Sequence, residues 1–343
     1  MIIGRCAHLT EPRDIHIQQG RGTCLGRNLC QRGCPYGGYF SANSSTLPWA
    51  AKTGNMTLRT DSVVHSIIYD EKKQKAVGVR VVDAHTKEMV EYYAKVIFVT
   101  AAAINTNLIL LNSKSARFPN GLGNDSGLLG THIAHHNYRA SLSADYEGLL
   151  DFKTSGGRPN SGYIPRFRNL YKQETNFLRG YAAGMSGGRG THADQSSVGE
   201  SLKNSLLNPK WSNWYAGSHM MGETIPKESN KVTLDATKKD AWGMPLDQFT
   251  EMYEKAGFKN IKTRDTHAPA GLDIHEMGGV RMGSDPKTSL LNKWNQLHHV
   301  KNVFVTDGAC MTSTSTQNPS LTYMAFTARA VDFAVKEMKK GNL

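Results

Sequence analysis

The 343-residue sequence predicts a mixed α/β fold with a second, sheet-rich domain. Two short runs, 96–99 and 302–306, have the apolar character of strands that are buried on both faces of a parallel sheet. Each run is followed by a turn and then by a helical pattern, a succession that is typical of α/β folds. Residues 137–270 are instead rich in Gly, Ser, Tyr, Trp and Asn, and their periodicity is weak. They predict a separate domain built mainly from antiparallel strands.

The composition excludes several classes of protein. With 39% hydrophobic and 20% charged residues the chain can bury a sizeable core, so it is not a disordered protein. Its net charge of +12 is spread among acidic residues, which argues against nucleic-acid binding. No stretch approaches the roughly 18 consecutive apolar residues of a membrane span. The sequence therefore predicts a soluble protein, either cytoplasmic or periplasmic, and leaves the compartment open.

The elements follow in order along the chain. The first 60 residues are irregular and glycine-rich, which predicts an extended segment held by its surroundings. Three β-type runs separated by polar turns then predict a three-stranded meander over 62–69, 77–82 and 90–93. The run 96–99 predicts a buried strand that leads into a helix containing Leu108–Leu111.

The sheet-rich domain contains its own signals. Large apolar surface is supplied by Trp211, Trp214, Tyr215 and Trp242. The spacing of Phe249, Met252 and Tyr253 predicts a short helix over Asp247–Gly257.

The C-terminal residues predict a long helix. Asn318 suits the N-cap and Pro319 suits the first helical position, while lysines and Gly341 close the other end. The helix carries an apolar stripe of the kind that faces a core, formed by Leu321, Met324, Ala328, Val331, Val335 and Met338. Its positive N-terminal end could stabilise an anion, and the Asn318 amide could hydrogen-bond a substrate oxygen.

A chemically suggestive cluster, residues 275–283, precedes the second buried strand. Its histidine, His275, is the only side chain there that titrates near neutral pH. Gly278, Gly279 and Gly283 would allow tight turns or the close approach of a ligand. The alternative is a glycine-rich loop with a histidine that hydrogen-bonds a backbone carbonyl, and spacing alone does not decide between the two.

Several segments closely resemble, in order and at compatible spacings, those of the glucose–methanol–choline (GMC) family of flavin oxidoreductases. The four C-terminal segments begin at His275, Ser289, Asn302 and Asn318 and read HEMGGVRMGSDP, SLLN, NVFVTDG and NPSLT. Earlier segments that are similar to the family's are 55–64, 96–113, 121–130, 230–235 and 240–245. The resemblance is scattered over nearly the whole chain.

The resemblance implies FAD-dependent oxidation of an alcohol CH–OH group by hydride transfer to the flavin. A family histidine at the position of His275 acts as base or hydrogen-bonding partner for the substrate hydroxyl, and a His or Asn at the position of Asn318 assists. The chemistry agrees, because removing a hydroxyl proton while hydride leaves carbon requires a base beside a hydride acceptor. Contacts to FAD are expected, by family position, from Val64, Asp307, Gly308, Pro319 and Thr322.

The resemblance also implies a division of roles along the chain. Residues 1–136 correspond to a partial FAD-binding domain with a Cys-rich irregular N-terminal segment, 137–270 to the substrate-binding domain, and 271–343 to the return into the FAD-binding domain. The G-x-G-x-x-G turn that holds the flavin pyrophosphate in the family has no counterpart in the sequence. The chain therefore resembles the C-terminal portion of a family member, either a fragment or half of a split enzyme. Tight FAD binding is not expected without that unit.

The sequence departs from the family pattern at two smaller points, and the resemblance also implies which partners to expect. The segment after Leu246 is shorter than in the family, and Asn105–Asn107 replaces a Ser-Pro pair. The expected partners are a small-molecule alcohol or sugar and either the N-terminal half or an electron-acceptor protein. The sequence does not distinguish an oxidase from a dehydrogenase.

The cysteines raise a second cofactor hypothesis. Cys24, Cys30 and Cys34 resemble a segment of the sugar and polyol dehydrogenase branches, some of which carry an iron–sulfur cluster and pass electrons to a cytochrome. Three thiolates can ligate a cluster, whereas three reduced thiols, or one disulfide and a spare thiol, are the alternatives. This branch makes a sugar or polyol the expected substrate. Three further histidines have metal-like spacing but no accompanying carboxylate or thiol in the sequence: His132, His135 and His136. They are interpreted as structural or as residues of the substrate-binding domain.

Overall fold

The computed structural model describes residues 2–5, 7–27, 29–137, 141–152, 160–239, 245–247 and 274–343. The chain divides into two compact units, each made of two stretches of sequence. The first unit comprises Met1–Leu58 and Tyr138–Met221, and the second comprises Arg59–Asn137 and Gly222–Leu343. The irregular N-terminal segment thus groups with the sheet-rich part of the chain. The functional roles expected for 1–136, 137–270 and 271–343 stay predictions.

Strands and helices are mixed along the chain, which confirms the predicted mixed α/β class. The strands are β1 (Ile2–Arg5), β2 (Ser62–Asp70), β3 (Lys75–Asp83), β4 (Met89–Tyr93), β5 (Ile97–Val99), β6 (Thr131–Asn137), β7 (Ser141–Tyr146), β8 (Asn160–Ile164), β9 (Tyr181–His192), β10 (Lys210–Glu223), β11 (Leu234–Lys239), β12 (Pro245–Asp247), β13 (Ile274–Gly279) and β14 (Val303–Val305). The helices are α1 (Asp14–Gln18), α2 (Thr46–Ala51), α3 (Ala103–Asn112), α4 (Gly199–Leu207) and α5 (Ser320–Lys339), with 3₁₀ turns at Cys30–Arg32 and Gly308–Cys310. None of the helices in the described ranges is long and apolar enough to cross a lipid bilayer.

The first unit is built on an antiparallel sheet, as the composition of the middle of the chain predicts. Its strands pair in the order β1–β8–β9–β10, and β7 also pairs with β10. Trp214 on β10 lies opposite Tyr146, and its indole N–H donates to the carbonyl of Leu149 at 2.9 Å. Trp242 and the helix predicted over Asp247–Gly257 lie outside the described residues, apart from Asp247 at the end of β12.

The second unit contains the predicted meander and the predicted pair of buried strands. Strands β2, β3 and β4 form an antiparallel sheet, while β5 and β14 pair in parallel. The Asn302 side chain joins these sheets, since its amide group donates to the carbonyls of Ala76 at 2.6 Å and Lys95 at 2.8 Å. Apolar residues of α3, including Ile109 and Leu110, pack with both strands in one buried core.

Two glycines of β13 bring three elements together. Strand β13 pairs antiparallel with β6, and Gly278 and Gly279 have positive φ angles of 92° and 88°. A Cβ atom at Gly278 would lie 2.2 Å from the carbonyl oxygen of His132 on β6, and one at Gly279 would lie 2.0 Å from Oδ1 of Asn107 on α3. The close approach that these glycines allow is therefore to protein groups, and not to a ligand.

The predicted C-terminal helix is present, but it buries a different face from the one that the sequence predicts. Helix α5 begins at Ser320 with Pro319 as N-cap, one residue later than predicted, because the first intrahelical hydrogen bond runs from the Tyr323 N–H to the Pro319 carbonyl at 3.0 Å. The predicted stripe is wrong as a core face, since Leu321 is 78% exposed and Val331 and Val335 are 42% and 45% exposed. The face that packs on the core consists of Tyr323, Phe326, Ala330, Phe333 and Ala334. Ala330, Phe333 and Ala334 pack in one cluster with Phe98 of β5 and Phe304 of β14.

Candidate active site

His275 lies at an irregular point of strand β13. The β13–β6 register shifts between Ile274 and Met277, and His275 has a positive φ of 64°. Such an irregularity redirects a side chain from its regular position on the sheet. A non-glycine residue in this conformation is strained, and strain of this kind concentrates at functional sites.

The His275 ring contacts a second histidine. Its Nδ1 atom lies 2.9 Å from Nδ1 of His136 on β6, and the two rings are nearly perpendicular at a centroid distance of 4.9 Å. Burial, together with the electrostatic effect of His136, lowers the pKa of His275 to about 4. The ring is therefore neutral at neutral pH and able to accept a proton, although its pKa lies well below that of an ordinary histidine.

The Asp307–Gly308 turn follows strand β14 and is held by a buried network. The Thr106 hydroxyl on α3 donates to Oδ2 of Asp307 at 2.5 Å, and the Ala309 N–H donates to Oδ1 at 2.9 Å. Burial raises the pKa of Asp307 in spite of these hydrogen bonds, which lower it. The turn thus lies at the carboxyl end of a parallel strand pair, which is the edge of α/β sheets where ligands bind.

The structure brings this turn and the strand of His275 together. The Val280 N–H donates to the carbonyl of Ala309, and the Met282 N–H donates to that of Cys310, both at 3.0 Å. At Gly308 a Cβ atom would lie 2.2 Å from the carbonyl oxygen of Glu276, so any larger residue would push the turn away from β13. Two predicted site segments that are separated by some thirty residues in the sequence therefore pack directly on each other.

The remaining predicted residues are more dispersed. Asn318 is exposed in the loop before α5, Pro319 is buried, and Thr322 is exposed on the first turn of α5. In the described part of the structure no hydrogen bond joins Asn318 to His275. Val64 is half-buried on β2 and packs against the main core. The roles assigned to these residues stay predictions.

Unpaired polar groups near the start of α5 fit the cofactor that the resemblance implies. The first amides of a helix have no intrahelical acceptor, and the N-cap of α5 provides no side-chain hydrogen bond. The Thr316 hydroxyl is buried and has no partner among the described residues. Donors at the positive end of a helix suit the polar, electron-rich edge of a flavin ring.

Three buried polar residues of the site were not identified as functional from the sequence. The sequence predicts a structural or substrate-domain role for His136, and it marks Thr106 and Asn107 only as a minor departure from the family pattern. The Asn107 amide group donates to the carbonyls of Ala103 at 2.8 Å and Gly278 at 3.0 Å, so it fastens α3 to β13. A signal was present, because polar residues inside an otherwise apolar run need partners when they are buried.

The cysteine cluster lies in the first unit. Cys24, Cys30 and Cys34 line one cavity with His8, and Nε2 of His8 lies 3.2 Å from Sγ of Cys30. Backbone N–H groups around Cys34 lower the pKa of its thiol by more than burial raises it. The cavity of about 10 Å³ holds no more than one water molecule. No set of three His, Cys, Asp or Glu side chains within the described ranges has a metal-binding arrangement. As placed, the thiols do not fit an iron–sulfur cluster.

A larger cavity of about 670 Å³ lies in the second unit. Leu111, Thr131 and Val232 are among the residues that line it, and none of the predicted site residues does. Size alone therefore does not locate the chemistry in this chain, and the contact between β13 and the Asp307 turn is the stronger indication.

Comparison with solved structures identifies the class of fold. Formate oxidase from Aspergillus oryzae RIB40, a protein studied for its FAD modification, aligns with a TM-score of 0.55 and 13% identity. The alignment covers 86% of this chain and 63% of that chain. At this identity the likeness establishes the fold alone.

Comparison of sequences identifies the family. The chain belongs to the GMC oxidoreductase family, whose two profiles match residues 9–137 and 255–327 and together cover more than half of it. The 2-methyl-1,2-propanediol dehydrogenase of Mycolicibacterium austroafricanum is 30% identical over 95% of this chain and 62% of its own length. The fructose dehydrogenase large subunit of Gluconobacter japonicus is 26% identical over 96% of this chain and 63% of its own length. The chain thus spans about three fifths of the length of these relatives.

Proposed function

We propose that the complete enzyme oxidises a CH–OH group of a sugar or polyol, with FAD as the hydride acceptor. The observation that carries this proposal is the packing of the Asp307–Gly308 turn against the strand of His275. This packing supports the proposal because the strand that carries the proposed base lies against the segment that is expected, by family position, to contact the flavin. The names of the relatives support the substrate class, because a diol and a ketose are both small polyhydroxylated alcohols.

The residues of the chain have separate tasks in this reaction. FAD, when bound, supplies a hydride acceptor. The neutral His275 ring accepts a hydrogen bond from the substrate hydroxyl and takes its proton as the C–H bond breaks, since the low pKa disfavours earlier transfer. Asn318 orients the substrate oxygen through its side-chain amide but cannot take a proton. Asp307, Gly308, Pro319 and Thr322 contact the flavin, with Val64 near its adenine.

The flavin spectrum provides the direct test. The full-length enzyme is purified, its visible absorption is recorded, and a panel of sugars and polyols is added under anaerobic conditions. Bleaching of a bound flavin by one of them would support the proposal and identify the substrate, and oxygen or a dye added afterwards would identify the electron acceptor. A bound flavin that no alcohol bleaches would contradict it.

Replacement of the base tests the residue assignment. We expect His275→Ala to lower kcat about 10²- to 10⁴-fold, because general base catalysis contributes a factor of that size. The matched control is His85→Ala, since His85 is 76% exposed in a turn and is not part of the site. Steady-state kinetics of both variants, with equal flavin content, would measure the effect. Unchanged turnover in His275→Ala would remove this residue from the base role.

The iron–sulfur hypothesis is not part of the proposed reaction. The thiols of Cys24, Cys30 and Cys34, as they are placed among the described residues, do not fit a cluster. FAD is the cofactor on which the proposal depends.

A partner-dependent role is the second candidate, and one observation favours it. The stripe of α5 formed by Leu321, Met324, Val331, Val335 and Met338 is exposed, although its residues are apolar. Binding of a polypeptide that supplies the G-x-G-x-x-G unit would cover this apolar face. In this version the chain acts as one half of a split enzyme and has no activity alone. Activity that appears only when the two polypeptides are mixed would distinguish it from the first candidate.

A further inference from the structure

A fully buried histidine, His136, makes the only side-chain hydrogen bond to the ring of His275 in the described part of the structure. Three polar contacts fix its own ring. Nδ1 lies 2.9 Å from Nδ1 of His275, while Nε2 lies 2.9 Å from the carbonyl oxygen of Ser315 and 2.6 Å from Oγ1 of Thr314. Thr314 is itself anchored, because its N–H donates to Oε1 of Glu223 at 2.9 Å.

These contacts determine where the protons lie. A carbonyl oxygen only accepts hydrogen bonds, so Nε2 of His136 carries a hydrogen and donates it towards Ser315. The Thr314 hydroxyl oxygen can accept from the same N–H. A neutral imidazole has one hydrogen, and Nδ1 of His136 is therefore an acceptor. The hydrogen between the two rings must come from His275, which then has its own hydrogen on Nδ1.

We propose that His136 is a positioning residue that sets the tautomer of His275, so that Nε2 of His275 is the nitrogen that accepts the substrate proton. The inference rests on the proposed function for its catalytic meaning. The role is the one a carboxylate plays for many catalytic histidines, here performed by an uncharged ring. His136 acts through His275 and needs no contact with the substrate.

Two further observations support the arrangement. Burial lowers the pKa of His136, which keeps the ring in the neutral form that the argument requires. His275 also adopts its strained positive φ at the register shift between β13 and β6, where Ile274 pairs with His136. The contact between the rings gives this strain a physical reason, because a regular strand would direct residue 275 differently.

Two substitutions separate the role of His136 from mere packing. In His136→Gln the amide oxygen can accept from Nδ1 of His275 and the amide group can donate to Ser315, whereas His136→Leu offers neither. We expect the Leu variant to lower kcat about 10- to 100-fold with little change in KM, and the Gln variant to recover most of that loss. His135→Gln is the matched control, since His135 adjoins His136 and its ring bonds the His136 carbonyl at 3.3 Å, with no hydrogen bond to His275 in the described part of the chain.

The tautomer itself is measured without any turnover. Nitrogen NMR of the full chain with ¹⁵N-labelled histidine distinguishes protonated from unprotonated ring nitrogens, and the His275 signals are identified by their loss in His275→Asn. We expect a protonated Nδ1 and an unprotonated Nε2 in the wild type and in the Gln variant, and a shift towards protonated Nε2 in the Leu variant.

The outcomes distinguish this inference from the proposed function. A wild-type His275 with its hydrogen on Nε2 would overturn the inference, even if the Leu variant failed to fold. An unchanged tautomer in a folded Leu variant would overturn it as well. The expected tautomers in a protein that oxidises no alcohol would leave the ring arrangement established and contradict the proposed function instead.

Discussion

His275 and His136 are held in their neutral forms by burial, and this links stability to pH. The ordinary pKa of a histidine is about 6.5, so an unfolded chain protonates both rings below that value. In the folded chain the pKa of His275 is lowered to about 4 and that of His136 is also lowered. Between these values the unfolded state binds more protons than the folded state, and the free energy of unfolding falls as the pH falls. Asp307, whose pKa burial raises, acts in the opposite sense at acidic pH.

The expected result is an acid-sensitive fold. Thermal unfolding of the full chain should give a melting temperature that is unaffected by the two histidines above pH 6.5 and that declines from there towards pH 4. The decline should be shallower in His275→Gln, because one proton-binding difference is removed. Melting curves at half-unit pH steps for the wild type, His275→Gln and the exposed control His85→Gln measure it. If the melting temperature fell equally steeply with pH in all three proteins, His275 would not contribute to the acid sensitivity.

The same residues show how far the sequence determines the site. His275 was found because its segment carries a specific local pattern, and the Asp307–Gly308 turn was found in the same way. His136 was not, since it lies 139 positions from its partner and nothing in its neighbourhood distinguishes it from His132 or His135. A hydrogen bond between distant strands depends on register, and register is set by the whole sheet.

At the scale of elements, Gly279 is the point where β13 and α3 meet. We expect Gly279→Ala to lower the free energy of unfolding by about 2 to 4 kcal/mol, from the strain of a positive φ and from overlap with the Asn107 amide. Gly127→Ala is the control, because Gly127 has a φ of 73° but open space around it. Gly127→Ala should lower the free energy of unfolding through backbone strain alone, by about 1 to 2 kcal/mol.

Denaturant unfolding of these two variants measures the difference between them. Since both glycines have positive φ, the excess loss in Gly279→Ala isolates the contact with α3. Equal losses in the two variants would mean that the overlap is relieved by a shift of Asn107 and that the contact is not a constraint. Loss of FAD binding only in Gly279→Ala would show in addition that the approach of α3 matters for the site.

Helix α5 explains why one expectation about an element was wrong. The sequence has apolar residues on two faces of this helix, and the regular spacing of one of them, Leu321 to Met338, predicts that face as the core side. The structure buries the face with Ala330 and Ala334, where small residues let the helix approach Phe304 closely. Periodicity identifies a helix and its apolar faces, but which face is buried depends on the shape of the neighbouring strands.

At the scale of the whole molecule, the exposed stripe of α5 predicts association. We expect Val331→Lys with Val335→Lys to change the free energy of unfolding by no more than about 0.5 kcal/mol, because both side chains lie on the exposed face of α5. The double variant should also self-associate less and should no longer be activated by a polypeptide with the G-x-G-x-x-G unit. Ala334→Lys, on the buried face, should lose about 3 kcal/mol or more, since it buries an unpaired charge.

Light scattering measures self-association, and denaturant unfolding measures the free energy of unfolding, for the double variant, Ala334→Lys and the wild type. If the stripe variant unfolds as easily as Ala334→Lys, the stripe belongs to the core and the partner hypothesis loses its support. If it is stable but associates as strongly as the wild type, another surface is responsible.

The individual strands and helices could be predicted from the sequence, whereas the pairing of distant elements could not. The meander of β2–β4, the strands β5 and β14 and the long α5 all follow from local patterns, because turns, alternation and capping residues act over a few positions. The pairing of β5 with β14 and the grouping of Met1–Leu58 with Tyr138–Met221 follow from contacts between distant segments. No local pattern contains that information.

Because the contacting residues lie far apart in the sequence, some segments are synthesised long before the segments that they pack against. Asn302 binds the backbone of Ala76 from 226 positions away, and Asp307 binds Thr106 from 201 positions away. At a synthesis rate of about 5 to 20 residues per second, β5 and α3 wait roughly 10 to 40 s on the ribosome for β14 to emerge. During that time a parallel strand edge and its apolar core have no partner, which favours binding by chaperones. The Asp307 turn can therefore bind Thr106 only after the 201 positions between them have been synthesised.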